Sequence, residues 1–166
     1  SMNRAVTQFS KGEYAGANNQ QDDLAVITSN GLPLRADDHG DSTATAEQLG
    51  QQAAYTATGV ISTSADTDVF ALSLPCTTTL TASATGIGAQ TSLDASLQVL
   101  AANGALVATS SPASTYAGSP PRSAGMDASV SVPNATGTYY LRVDGVGNGS
   151  ATSGGWSDYG SLGQYT

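Results

Sequence analysis

The chain has 166 residues, 11% of them charged, and its five Lys and Arg against thirteen Asp and Glu give a net charge of −8 and a pI near 4.1. Five scattered cations cannot neutralise a phosphate backbone, so nucleic acid is excluded as a partner, and an anionic membrane surface is disfavoured for the same reason. The length suits one domain with a sizeable core, and the excess of Ser, Thr, Ala and Gly without long amphipathic helical patterns is the composition of a secreted β-protein.

In chain order, the opening Ser1-Met2 reads as a cleavage scar ahead of an internal start, so a piece of a longer chain is expected. Asn18 and Asn19 lead into Gln-Gln-Asp-Asp-Leu-Ala-Val-Ile27, where an Asn cap, the early carboxylates Asp22 and Asp23, and apolar Leu24, Val26 and Ile27 predict a short helix. Asn30-Gly31 and Pro33 end it, and its apolar residues have the spacing to bury against the rest of the chain. Arg35 to Ser42 is a polar turn, and Ala44 to Gln52 a weakly helical connector.

From Ala53 onward short alternating runs predict strands over 55–61, 69–74, 77–85, 95–102, 105–109, 128–132, 138–144 and from Leu162 on. Phe70, Leu72 and Leu74 share the face that covers the core, as do Tyr139, Leu141 and Val143. Asn103-Gly104 between two apolar runs predicts a tight hairpin with positive φ at both turn residues. Ser110 to Met126, rich in Ser, Pro and Gly, is expected as a surface loop, and Gly145 to Gly160 as a second excursion. The sum is an all-β fold: a jelly-roll-like antiparallel β-sandwich with a short irregular or helical N-terminal segment. Cys76 is the only cysteine, so no internal disulfide or cysteine-based zinc site can form, and no apolar run approaches the ~18 residues of a membrane span.

Candidate sites are few. Asp66 and Asp68 stand two residues apart at a strand entrance and repel unless a cation, backbone N–H donors or water lies between them. Asp37, Asp38 and Asp41 form a second acidic knot. Calcium takes oxygen ligands of this kind, and the same aspartates can equally cap turns and face water. His39 lies among carboxylates that favour its charged form, but no nucleophile or second base is singled out, and it reads as an exposed turn histidine. Tyr116, Trp156 and Tyr159 sit in the two Gly- and Ser-rich stretches, where loop aromatics can stack on polysaccharide or extended peptide. Alternatively, Trp156 folds back over a sandwich edge with Tyr159 beside it.

The run Gly59…Asp66-Thr-Asp-Val-Phe-Ala-Leu72, then Leu93 to Gly104, Gly137 to Gly145 and Gly163-Gln-Tyr165, resembles the bacterial pre-peptidase C-terminal domain over about residues 37–166. That family is similar to the collagen-binding domains of clostridial collagenases. The resemblance implies a jelly-roll sandwich, secretion, and attachment C-terminal to a protease catalytic domain. Residues 8–41 are similar to the segment preceding this module in secreted actinobacterial zinc metallopeptidases. The chain is thereby divided into 1–36, a linker or the end of an upstream catalytic domain, and 37–166, the sandwich. In the collagen-binding relatives a calcium site joins the incoming acidic segment to an aspartate pair, which corresponds here to Asp37, Asp38, Asp41, Asp66 and Asp68. Asp-Asp-His-Gly-Asp stands where those relatives typically carry Glu-x-Asn-Asp.

No His-Glu-x-x-His is present, and one histidine cannot make a multi-histidine zinc site, so catalysis is expected upstream. The expected role is that of a monomeric, non-catalytic accessory domain of a secreted metallopeptidase. It would hold the enzyme near a protein or polysaccharide substrate, or assist secretion or maturation. The other readings are a carbohydrate-binding module and a purely structural domain without ligand.

Overall fold

A computed structural model describes residues 9–14, 16–88, 91–117, 122–153 and 155–166, with the backbone alone at 116, 117, 122, 123 and 151. The expected all-β fold is found. Its strands are β1 (Glu47–Gln48), β2 (Gly59–Ile61), β3 (Thr67–Ala84), β4 (Ala95–Ala101), β5 (Leu106–Ser110), β6 (Thr115–Ala117), β7 (Arg122–Ala124), β8 (Ala128–Gly145) and β9 (Gly163–Tyr165). The main sheet has the order β1-β3-β8-β4-β5, β2 pairs with β9, and β6 with β7.

Two 18-residue strands, β3 and β8, form the spine, paired antiparallel from Thr67↔Asp144 to Ala84↔Ala128. The two strands expected at 69–74 and 77–85 are one. The register shifts between Leu74 and Leu80, and the exposed Pro75 falls in that irregularity, where a missing N–H costs no ladder bond. Past the end of β3 the chain at 85–87 runs along β9, with Gly86 bridged to Tyr165. Thr85 N–H donates to Thr166 O (2.8 Å), Thr166 N–H returns to Thr85 O (2.9 Å), and Ile87 N–H reaches Gln164 O (2.8 Å). A long strand that leaves one sheet to border another is a usual way to close a sandwich.

The core lies on the predicted face. Phe70, Leu72, Leu80 and Ala84 of β3 meet Leu97 and Val99 of β4, Val130, Val132 and Val143 of β8, Ile61 of β2 and Tyr165 of β9. Leu74, Tyr139 and Leu141 pack half-buried against them.

Four expectations need correction. Residues 44–52 are not helical: they hold β1, which runs parallel to β3 (Glu47↔Phe70), and Leu49 N–H donates to Ala71 O (2.8 Å). The unpaired edge of β3 offers backbone partners that outweigh a weak helical pattern. The strand expected over 55–61 is confined to Gly59–Ile61. The region 110–126 carries the β6–β7 hairpin, with Tyr116↔Ser123 in register. The Asn103-Gly104 hairpin exists, but only Gly104 has positive φ (81°). Gly104 N–H closes a turn on Ala101 O (2.8 Å), and Asn103 Oδ1 accepts Ala105 N–H (3.0 Å), so the asparagine caps the turn with its side chain while the glycine alone supplies the left-handed step.

The predicted helix α1 spans Asp23–Ser29. Asp22 is its N-cap, accepting Ala25 N–H (2.9 Å), and Asn30 with Gly31 (φ 90°) ends it. Leu24, Val26 and Ile27 are half-buried, and Leu24 packs against the core.

Candidate metal centre

The acidic knot is a closed loop. His39 N–H donates to Asp37 Oδ1 (3.0 Å) and Thr45 N–H to Ser42 O (3.0 Å). A Cβ on Gly40 would lie 2.5 Å from Thr45 O, so a side chain at that position would force the loop open. Three backbone N–H donors of the sandwich hold the loop. Val69 N–H of β3 donates to Gly40 O (3.1 Å), Thr67 N–H to Asp41 Oδ1 (3.0 Å), and Val60 N–H of β2 to Asp38 Oδ1 (3.1 Å). Asp66 occupies the turn between β2 and β3, its N–H on Thr63 O (3.3 Å) and its Oδ2 accepting Ser62 N–H (2.6 Å).

The structure brings all five predicted aspartates to this one end of the sandwich, divided into two triplets. Asp37, Asp41 and Asp66 each offer an oxygen within 4.8 Å of the others, and Asp38 and Asp68 do so together with His39. Asp66 and Asp68 are 5% and 0% exposed, and Oδ1 of each has no hydrogen-bond partner. Tyr165 donates its hydroxyl to Asp68 Oδ2 (2.5 Å). Burial pushes the Asp68 carboxyl up to about 6, with the Tyr165 bond opposing and the nearby Asp66 charge adding to it. Burial and the bond to Asp68 likewise raise the Tyr165 phenol. An orphaned carboxylate oxygen inside a protein is costly. One such oxygen in each triplet is an arrangement that fits a divalent cation, and the all-oxygen set Asp37, Asp41 and Asp66 suits a hard one.

His39, expected as an exposed turn residue, has a side chain only 10% exposed and tilts against Phe70 at 4.7 Å between centroids. Its Nε2 is 2.9 Å from Thr58 O and 3.9 Å from Asp38 Oδ2. Nδ1 is 2.7 Å from Glu47 Oε2, in ion-pair contact without the alignment of a hydrogen bond. Burial pulls the imidazole pKa down, but the Thr58 carbonyl and the Asp68, Asp38 and Glu47 carboxylates outweigh it and leave it above its ordinary value. Glu47, Thr58 and Tyr165 escaped sequence reasoning because they reach the site only through strand pairing, β1 on β3 and β9 on β2.

The three loop aromatics are placed differently. Tyr159 is engaged internally: its hydroxyl donates to Asp22 Oδ1 (2.6 Å) and accepts Leu24 N–H (3.0 Å), and Lys11 Nζ lies 5.4 Å from its ring centroid. Burial and the Asp22 bond push this phenol up to about 12. Trp156 is half-buried, and its backbone exchanges two bonds with Asn148 (2.9 and 3.0 Å). The Tyr116 backbone belongs to β6, while its side chain lies outside the described residues.

The family model of the bacterial pre-peptidase C-terminal domain matches residues 66–145, from Asp66 through the end of β8. That family is one of non-catalytic accessory domains. Asp66 and Asp68 fall within the match, whereas Asp37, Asp38, His39, Asp41, Glu47 and Tyr165 lie outside it. No curated protein and no solved structure matches the chain. Among the described residues no helix is long and apolar enough to cross a membrane.

Proposed function

We propose, from the match of residues 66–145, that the chain is a calcium-stabilised accessory domain. It is attached C-terminal to the catalytic domain of a secreted metallopeptidase and holds that enzyme near a macromolecular substrate. Asp37, Asp41 and Asp66 are the residues that would hold the calcium. The observation that carries this reading is the buried Asp66 Oδ1, which has no hydrogen-bond partner within a triplet of carboxylates. Calcium there would neutralise three like charges and fasten the incoming segment to the start of β3, stiffening the joint with whatever precedes it. A glycan-stacking role has less support, because Tyr159 is engaged with Asp22 and Leu24.

Thermal unfolding with calcium and with chelator tests the metal. A ligand at 100 times its Kd stabilises the native state by about 2.7 kcal/mol, which moves the midpoint of a domain this size by several degrees. That rise should vanish in Asp41→Asn combined with Asp66→Asn. No shift at millimolar calcium overturns the calcium assignment. In the parent enzyme, deletion of this domain is expected to spare hydrolysis of short peptides and to slow that of an insoluble protein substrate. Equal loss on both would overturn the tethering role.

A further inference from the structure

The second triplet differs in kind from the first, because one of its donors is an imidazole nitrogen. Calcium and magnesium favour oxygen, whereas imidazole with carboxylates suits zinc and its neighbours in the first transition row. We propose that Asp38, His39 and Asp68 form a separate site for a divalent transition ion of the zinc class, independent of whether calcium occupies Asp37, Asp41 and Asp66.

Asp68 is the first support for the site. Its side chain is fully buried, Oδ2 is held by Tyr165, and Oδ1 is left without a hydrogen bond among groups whose donor atoms lie within 4.8 Å of one another. Each of the three ligands is also oriented by a group outside the triplet. Val60 N–H fixes Asp38 through Oδ1 (3.1 Å), and Tyr165 fixes Asp68. The Glu47 carboxylate stands 2.7 Å from His39 Nδ1, and at 51% exposure it is free to turn into line with the ring N–H. A carboxylate on the far nitrogen of a ligating histidine is the usual outer shell of a metal site, fixing the tautomer and raising ligand basicity. Nε2 is the nitrogen that faces Asp38, and Thr58 O beside it is available as a further oxygen donor. A metal ion takes Nε2 in its deprotonated form, which leaves the ring proton on Nδ1, on the side of Glu47.

The test titrates the full chain with Zn2+ by calorimetry in millimolar calcium, which blocks any site that prefers calcium, and repeats the titration with Co2+ as a spectroscopic probe. The expected result is one equivalent of Zn2+, a midpoint raised by several degrees, and visible Co2+ bands stronger than those of the aqua ion. His39→Gln should abolish all three, Asp66→Asn should leave them, and Glu47→Gln should weaken binding by about 10- to 100-fold. A Co2+ spectrum unchanged from the aqua ion overturns the proposal. So does Zn2+ binding equal in the wild type and His39→Gln, or a single equivalent for which Zn2+ and Ca2+ compete and which Asp66→Asn removes. Should His39→Gln fail to fold, the wild-type Co2+ titration and Glu47→Gln, an exposed change, decide the question by themselves.

Discussion

Asp68 carries more of this molecule's pH dependence than its position in the sequence suggests. Its carboxyl is raised from 3.8 to about 6, so between those values the metal-free native state binds more protons than the unfolded chain. Stability therefore falls as pH rises through that window and stays reduced above it, by about 3 kcal/mol for about two pKa units at ~1.4 kcal/mol each. Urea unfolding at pH 4 and pH 7 without metal should show this slope in the wild type and a shallower one in Asp68→Asn. The raised imidazole of His39 acts in the same direction at higher pH, its contribution fading as pH passes its folded pKa. Gly59 guards the same spot: a Cβ there would strike the Tyr165 hydroxyl and lie 2.5 Å from Asp68 Oδ2. Gly59→Ala should cost about 1–3 kcal/mol, read as a lower urea midpoint with an unchanged m-value. The spacing of the aspartates made them legible in the sequence. The burial of His39 was not, because Phe70 meets it only once the loop has docked on β3, and Glu47 only after β1 has paired there.

At the scale of elements, α1 shows how little of a short helix is its own. Seven residues cannot sustain a helix alone. The cap at Asp22 and the stop at Asn30-Gly31 mark its ends, yet Tyr159 holds it in place from 135 residues away. Tyr159→Phe removes a hydroxyl that donates once and accepts once. The expected loss is about 1 kcal/mol, localised to α1: amide exchange across Leu24–Ser29 should quicken while the sandwich melts at nearly the same temperature. A fall in the melting of the whole chain would mean that α1 is part of its cooperative core. The alternation of Phe70, Leu72 and Leu74 and the Asn103-Gly104 turn were readable because period and turn chemistry are local. The fusion of two predicted strands through Pro75, and the strand at Glu47, were not, since a sheet edge or a register shift is a property of the partner strand.

Across the whole molecule the net charge of −8 works against an edge that no other described strand covers. β5 borders the main sheet with Leu106 and Val107 exposed at 57% and 44%, and no charged residue occurs between 95 and 121. Neutral, apolar edges invite strand pairing between copies, and here repulsion from the rest of the surface is what opposes it. Light scattering should find a monomer at pH 7 and larger species near the pI of about 4.1, with Val107→Lys suppressing the latter. Association at pH 7 that Val107→Lys leaves untouched would locate the contact elsewhere. Composition made the all-β class legible; the way the sheets close was not, because it depends on residues that meet only at long range.

That long range sets a timetable. β3 must wait for β8 before its ladder can form, and Asp68 meets Tyr165 across 97 residues, so beyond the β4–β5 hairpin the core is closed by distant parts of the chain. Topologies of this kind fold in milliseconds to seconds rather than microseconds. A chain delivered from its N-terminus could not close the β3–β8 ladder until β8 had emerged, nor seat Tyr165 on Asp68 until β9 had followed.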